Sequence, residues 1–85
     1  MQIKYTRHFK SAFLKLPIAI QKRAEQKESA LRENPFVPEL KTHKLSGKLK
    51  EFYAFSIDRK RRIVFALINR QKAVFLDIGD HDIYK

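Results

Sequence analysis

The stretch FYAFSIDRKRRIVFALINRQKAVFLDIGDHDIY, residues 52–84, decides the fold. It divides into three apolar runs separated by short polar breaks. In the first, Tyr53, Phe55 and Ile57 fall on one side and Phe52, Ala54 and Ser56 on the other, which is the period of a β-strand. Asp58 to Arg61 make a turn. Ile63, Phe65 and Leu67 then alternate with Val64, Ala66 and Ile68. Asn69 to Lys72 turn again, and Val74 to Ile78 form a third strand ending at Gly79. Turns this short join antiparallel strands, so the stretch predicts a meander. Both faces of its middle strand are apolar and need cover, by helices on one side and by loop, tail or a partner on the other.

Upstream, the chain supplies that cover. Gln2 to Tyr5 alternates, with Ile3 and Tyr5 on one face, and predicts an edge strand. Thr6 is placed to cap a helix whose Phe9, Phe13 and Leu16 form a stripe toward the sheet. Pro17 suits the first turn of a second helix, giving an α-hairpin. Ile20, Ala24 and Leu31 hold its apolar face, but Lys27 interrupts it; the expectation is an aliphatic stem over the core edge with the ammonium in water. Asn34-Pro35 ends this helix. Phe36 to Lys50 reads as a long loop with a basic outer side, packing Phe36, Leu40 and Leu45 on the core. No composition shift or repeat divides the chain, so residues 1–85 are expected to form one domain, α+β, ordered β-α-α-β-β-β with a four-stranded antiparallel sheet.

Composition narrows the function. With 85 residues, the chain buries only about 60 to 65 % of its unfolded surface on folding. It has no cysteine, hence no disulfide, thiolate metal site or cysteine nucleophile, which fits an intracellular home. The start MQIKYTRHFK is too polar for a signal peptide, and no apolar run approaches the roughly 20 residues of a membrane span. A cytosolic protein with no membrane partner is expected. Its net charge is +10, and Lys41 to Arg62 holds eight basic residues against two acidic ones, a net of +6. Clustered cations of this kind favour a polyanion, and nucleic acid is the usual one in the cytosol.

Three further segments carry a family resemblance. NPFVPELKTHKLSGKLKEFYAFSID at 34–58, RRIVFALI at 61–68 and VFLDIGDHDIY at 74–84 together resemble the RelE/ParE toxin superfamily of bacterial toxin-antitoxin pairs. Within it, the likeness is to the RelE and YafQ-like mRNA endonucleases. The more specific parts are Lys-Leu-x-Gly at Lys44 to Gly47, Arg-Ile-Val-Phe at Arg62 to Phe65, and Gly-x-His-Asp followed by a tyrosine at Gly79 to Tyr84. The resemblance implies a helical hairpin on a four-stranded antiparallel sheet. It also implies a toxin that cleaves mRNA in the ribosomal A site, inhibits translation and is silenced by a cognate antitoxin, with the ribosome and its rRNA as the further partner.

Metal-independent RNA cleavage needs the 2′-OH deprotonated, the 5′-oxygen protonated and the phosphorane charge stabilised. His81 titrates near neutrality and is similar to the histidine of YafQ-like toxins. Arg62 is similar to the family arginine at the scissile phosphate, where a guanidinium grips two oxygens. Arg61, one residue earlier, belongs to the opposite face of a regular strand, so it is a candidate for RNA contact but not for the same phosphate. Tyr84 is similar to the C-terminal aromatic proposed to stack on a base, although relatives place it one residue further from the histidine. Lys44, Lys48 and Lys50 are similar to lysines that hold RNA phosphates, and His43 is a second candidate acid or base. Asp77, Asp80, His81 and Asp82 could hold a metal only if the segment turned there; no metal or cofactor is expected, and one Asp is a simpler partner for the His81 ring. Two other readings share the fold: a ParE-like inhibitor of DNA gyrase, and an inactive relative that binds RNA or antitoxin only.

Overall fold

The computed structural model describes residues 1–80 and residue 83. His81 and Tyr84, two of the three residues expected to carry chemistry, lie outside the described residues.

The elements are β1 (Gln2–Tyr5), α1 (Arg7–Leu14), α2 (Ile18–Glu33), β2 (His43–Lys44), β3 (Tyr53–Ser56), β4 (Arg62–Asn69) and β5 (Lys72–Gly79), with short 3-10 turns at Pro38–Leu40 and Gly47–Leu49. The class is α+β with a helical hairpin on a sheet, and the meander β3-β4-β5 pairs antiparallel. The sheet has five strands rather than four, in the order β1-β5-β4-β3-β2. The sheet departs from the expectation in two ways, one in strand direction and one in strand count. β1 runs parallel to β5, because alternation determines which face a residue occupies and not the direction of the neighbouring strand. Within the segment expected to be loop, His43 and Lys44 pair with Ala54 and Tyr53, a strand too short to show a period.

The face assignments hold. Phe55, Ile57, Ile63, Phe65 and Phe75 join Phe9, Ala24, Leu31 and Leu40 in the helix-side core. Phe75 packs its ring against Tyr5, Phe9, Phe55 and Phe65. On the far face Leu45, Ala54 and Val64 are covered by Leu49, Phe52, Leu76 and Ile83, so loop and tail cover the first half of that side of β4, while farther along it Ile68 stays 58% exposed. A bulge sits in β5: Val64 pairs with Asp77 and Phe65 with Phe75, leaving Leu76 extra. It resets the alternation, so that Phe75 and Ile78 both face the helices.

Thr6 caps α1, accepting from Phe9 N at 3.0 Å and donating to the bulge carbonyl of Leu76 at 3.2 Å. α2 ends at Glu33, and Asn34 turns extended. Phe36 departs from expectation. Instead of entering the core it is 54 % exposed, held in the surface turn it forms with Pro35, its ring edge-on to Tyr53. No helix of the described residues is long and apolar enough to cross a membrane.

Candidate functional site

Arg62 opens β4, paired with Ser56 on one side and Gly79 on the other. Its guanidinium is turned back on the β3–β4 turn. Nη1 donates to the carbonyls of Asp58 (2.9 Å), Arg61 (3.1 Å) and Arg59 (3.3 Å). Among the described residues the Nε and Nη2 edge has no partner. Nη1 therefore anchors the group, and the remaining N–H groups are of the kind that can donate to an anion.

The turn that receives Arg62 is itself organised by Asp58. Its Oδ1 accepts from Lys60 N and Arg61 N, each at 2.8 Å, and its Oδ2 accepts from Arg61 Nη1 at 3.3 Å. Burial pushes the Asp58 carboxyl up, but the two backbone N–H groups and the Arg61 guanidinium outweigh it and hold the group below the usual carboxylate range. Arg61, a candidate for RNA contact, thus has its guanidinium engaged in the turn.

The remaining candidates divide by face. Cross-strand partners share a face, so His43, paired with Ala54 and through it with Val64, lies on the side of Arg62, two strand spacings across and two residues along, about 12 Å between backbones. Its Nδ1 lies 3.1 Å from the Lys41 carbonyl. Lys44 pairs with Tyr53, which packs on the helix-side core, so the register sets Lys44 on the opposite face from Arg62. Lys48 and Lys50 are exposed around the Gly47–Leu49 turn. The structure sets Arg62 beside the end of β5, keeps His43 on the same face but two strands away, and puts Lys44 on the opposite face. His81 follows Gly79, the register partner of Arg62, by two residues.

One pair was invisible in the sequence. His8 Nε2 lies 3.0 Å from Asp77 Oδ1, and the same oxygen accepts from Ile78 N at 2.8 Å. The pair depends on α1 packing over the bulge, which no local pattern announces. Among the described residues, no group of three His, Cys, Asp or Glu side chains is placed to hold a metal ion.

No protein-family model and no curated protein matches the sequence. Solved structures do match by shape. YafQ from E. coli strain BL21(DE3) superposes with a TM-score of 0.80 at 17% identity, covering 99% of this chain and 98% of that one. The YoeB/ParE toxin from Agrobacterium tumefaciens gives 0.80 at 14% identity, covering 95% and 99%. The toxin-antitoxin complex RelBE2 from Mycobacterium tuberculosis gives 0.79 at 15% identity, covering 94% and 96%. At such identities the likeness is one of fold, and the fold of this chain is that of the RelE-like toxin superfamily.

Proposed function

We propose that this chain is a ribosome-dependent endoribonuclease toxin, cutting mRNA in the ribosomal A site in the cytoplasm and neutralised by a cognate antitoxin. The observation that carries the reading is Arg62, anchored by three turn carbonyls with one guanidinium edge open, at the end of the sheet toward which β5 runs before His81. RelBE2 is a toxin-antitoxin complex, and DinJ-YafQ from E. coli is another; such complexes support an antitoxin partner. The net charge of +10 suits a ribosomal and mRNA surface.

In this mechanism the 2′-OH attacks the adjacent phosphorus as its proton leaves, and the 5′-oxygen departs with a proton gained. Arg62 neutralises the charge that grows on the phosphorane, a fixed donor that needs no reorganisation during the step. His81 acts as the general acid or base, and His43, on the face of Arg62, is the second group able to move a proton. Tyr84 stacks on a base, and Lys48 and Lys50 hold flanking phosphates.

The test is purified protein added to ribosomes programmed with a defined codon in the A site, with new mRNA ends mapped by primer extension. Cleavage on ribosomes and not on naked mRNA is expected. Intact mRNA sinks the reading, and gyrase poisoning in its place would support the ParE-like alternative.

A further inference from the structure

At the same end of the sheet, α2, the Pro38–Leu40 turn and the β3–β4 turn enclose an open cleft of about 330 Å³. Lys27, Lys41, Arg59 and Arg62 line it, with the acids Glu39 and Asp58. The acids do not neutralise it. Glu39 is taken by Lys27, with Nζ 3.2 Å from Oε2, and Asp58 by Arg61 and two backbone N–H groups. Among the described residues Lys41, Arg59 and the open edge of Arg62 have no acidic partner.

Two features set this cleft apart from solvated surface. Lys27 lies on the core-facing stripe of α2 between Ala24 and Leu31, with only 25% of its side chain exposed, so its stem is packed and its ammonium is delivered to the cleft. Lys41 has φ +53° and ψ 38°, and among the described residues it is the one non-glycine with a positive φ. Glycine or asparagine adopts that left-handed conformation more cheaply. What lysine adds there is a cation on the cleft wall, and local strain of this kind gathers at functional sites.

We propose that the cleft is a phosphate subsite in which Lys41, Arg59 and Lys27 hold a backbone phosphate of RNA flanking the one gripped by Arg62. This rests on the endoribonuclease reading for the identity of the strand. RNA is favoured over an acidic protein segment because Arg62 itself lines the cleft, beside Lys41 and Arg59 of the +6 run from Lys41 to Arg62. An arriving phosphate competes with Glu39 for the Lys27 ammonium.

The test uses a short 2′-O-methyl RNA oligonucleotide, which cannot be cleaved, with binding followed by fluorescence anisotropy across a salt series. Lys41→Gly and Arg59→Ala are each expected to weaken binding about fivefold and to reduce the log–log salt slope by about 0.7. Lys41→Gly should leave the Tm at or above the parent value, since glycine relieves the left-handed backbone. Glu39→Gln, which frees Lys27, should tighten binding about twofold. Inorganic phosphate should compete only weakly, and an acidic peptide should show no dependence on either cation. The proposal is overturned by unchanged RNA affinity in either cation variant. Loss of affinity matched by loss of Tm in both variants, or peptide binding that falls in place of RNA binding, overturns it as well. The activity is judged separately. Cleaved mRNA with RNA binding independent of Lys41 and Arg59 sinks the subsite alone, whereas binding that depends on them in a chain that cuts no mRNA sinks only the nuclease.

Discussion

Ile83 fills the space above Gly79: a β-carbon on residue 79 would lie 2.5 Å from Ile83 Cγ2, closer than atoms can approach. Ile83 also packs on the Leu45, Ala54 and Val64 cluster, and its N–H donates to the Asp80 carbonyl at 3.2 Å. The contact pins the chain against the end of β5, beside Arg62. Gly79→Ala must displace Ile83, two residues after His81, and is expected to slow mRNA cleavage about tenfold, the scale of a small misplacement of a catalytic group. The double variant Gly79→Ala/Ile83→Ala should recover most of that loss, since only Cβ of Ile83 then remains, at 3.9 Å. Single-turnover rates of the three proteins check this; a double variant as slow as Gly79→Ala would count against it.

Asp58 links acid stability to the site. Its carboxyl titrates below the usual range in the folded chain, so its contribution is present above the unfolded value, near 3.9, and is lost as pH falls through the lower folded value. Asp58→Asn should cost about 1 kcal/mol at pH 7 and almost nothing at pH 2. Urea midpoints at the two pH values measure the difference. Cleavage should fall as well, because the carbonyls that anchor Arg62 belong to the turn Asp58 holds.

Tyr5 predicts behaviour at the alkaline end. Burial, then the hydrogen bond its hydroxyl donates to Glu28 and the charge of that carboxylate, push its pKa up to about 12. For a group raised in the folded state, stability is complete below the unfolded value near 10 and lost as pH rises through about 12. Ultraviolet titration should show one tyrosine ionising near 12, and Tyr5→Phe should remove that step. Its persistence in the variant would contradict the assignment.

Much of the fold was legible because strand and helix periods say which side chains share a face. The alternation through Tyr53–Ile57 and Ile63–Ile68, the Phe9 and Phe13 pair and the Thr6 cap stand in the structure, whereas α1 ends at Leu14 and Leu16 packs on the core from the link to α2. Lys27 was anomalous in the sequence, and it proved to be packed along its stem and paired with Glu39. Periodicity could not give the parallel pairing of β1 with β5, the two-residue β2 or the bulge at Leu76, because each depends on what lies alongside the strand. The carbonyl anchor of Arg62 and the His8–Asp77 pair are tertiary in the same sense. Exposure of Phe36 was missed because an aromatic after a proline turn looks the same in sequence whether it enters the core or passes it.

The central claim is that Arg62 stabilises charge in the transition state of RNA cleavage. It is tested most directly by single-turnover cleavage of mRNA on programmed ribosomes by the parent, Arg62→Lys and Arg62→Ala, with ribosome affinity measured in parallel. The account predicts that Arg62→Ala cuts the rate by about 10² or more with affinity changed less than about fivefold, and that Arg62→Lys recovers only part of it, since an ammonium cannot both anchor on the turn and grip two oxygens. A rate unchanged by Arg62→Ala, or a loss confined to affinity, would contradict it.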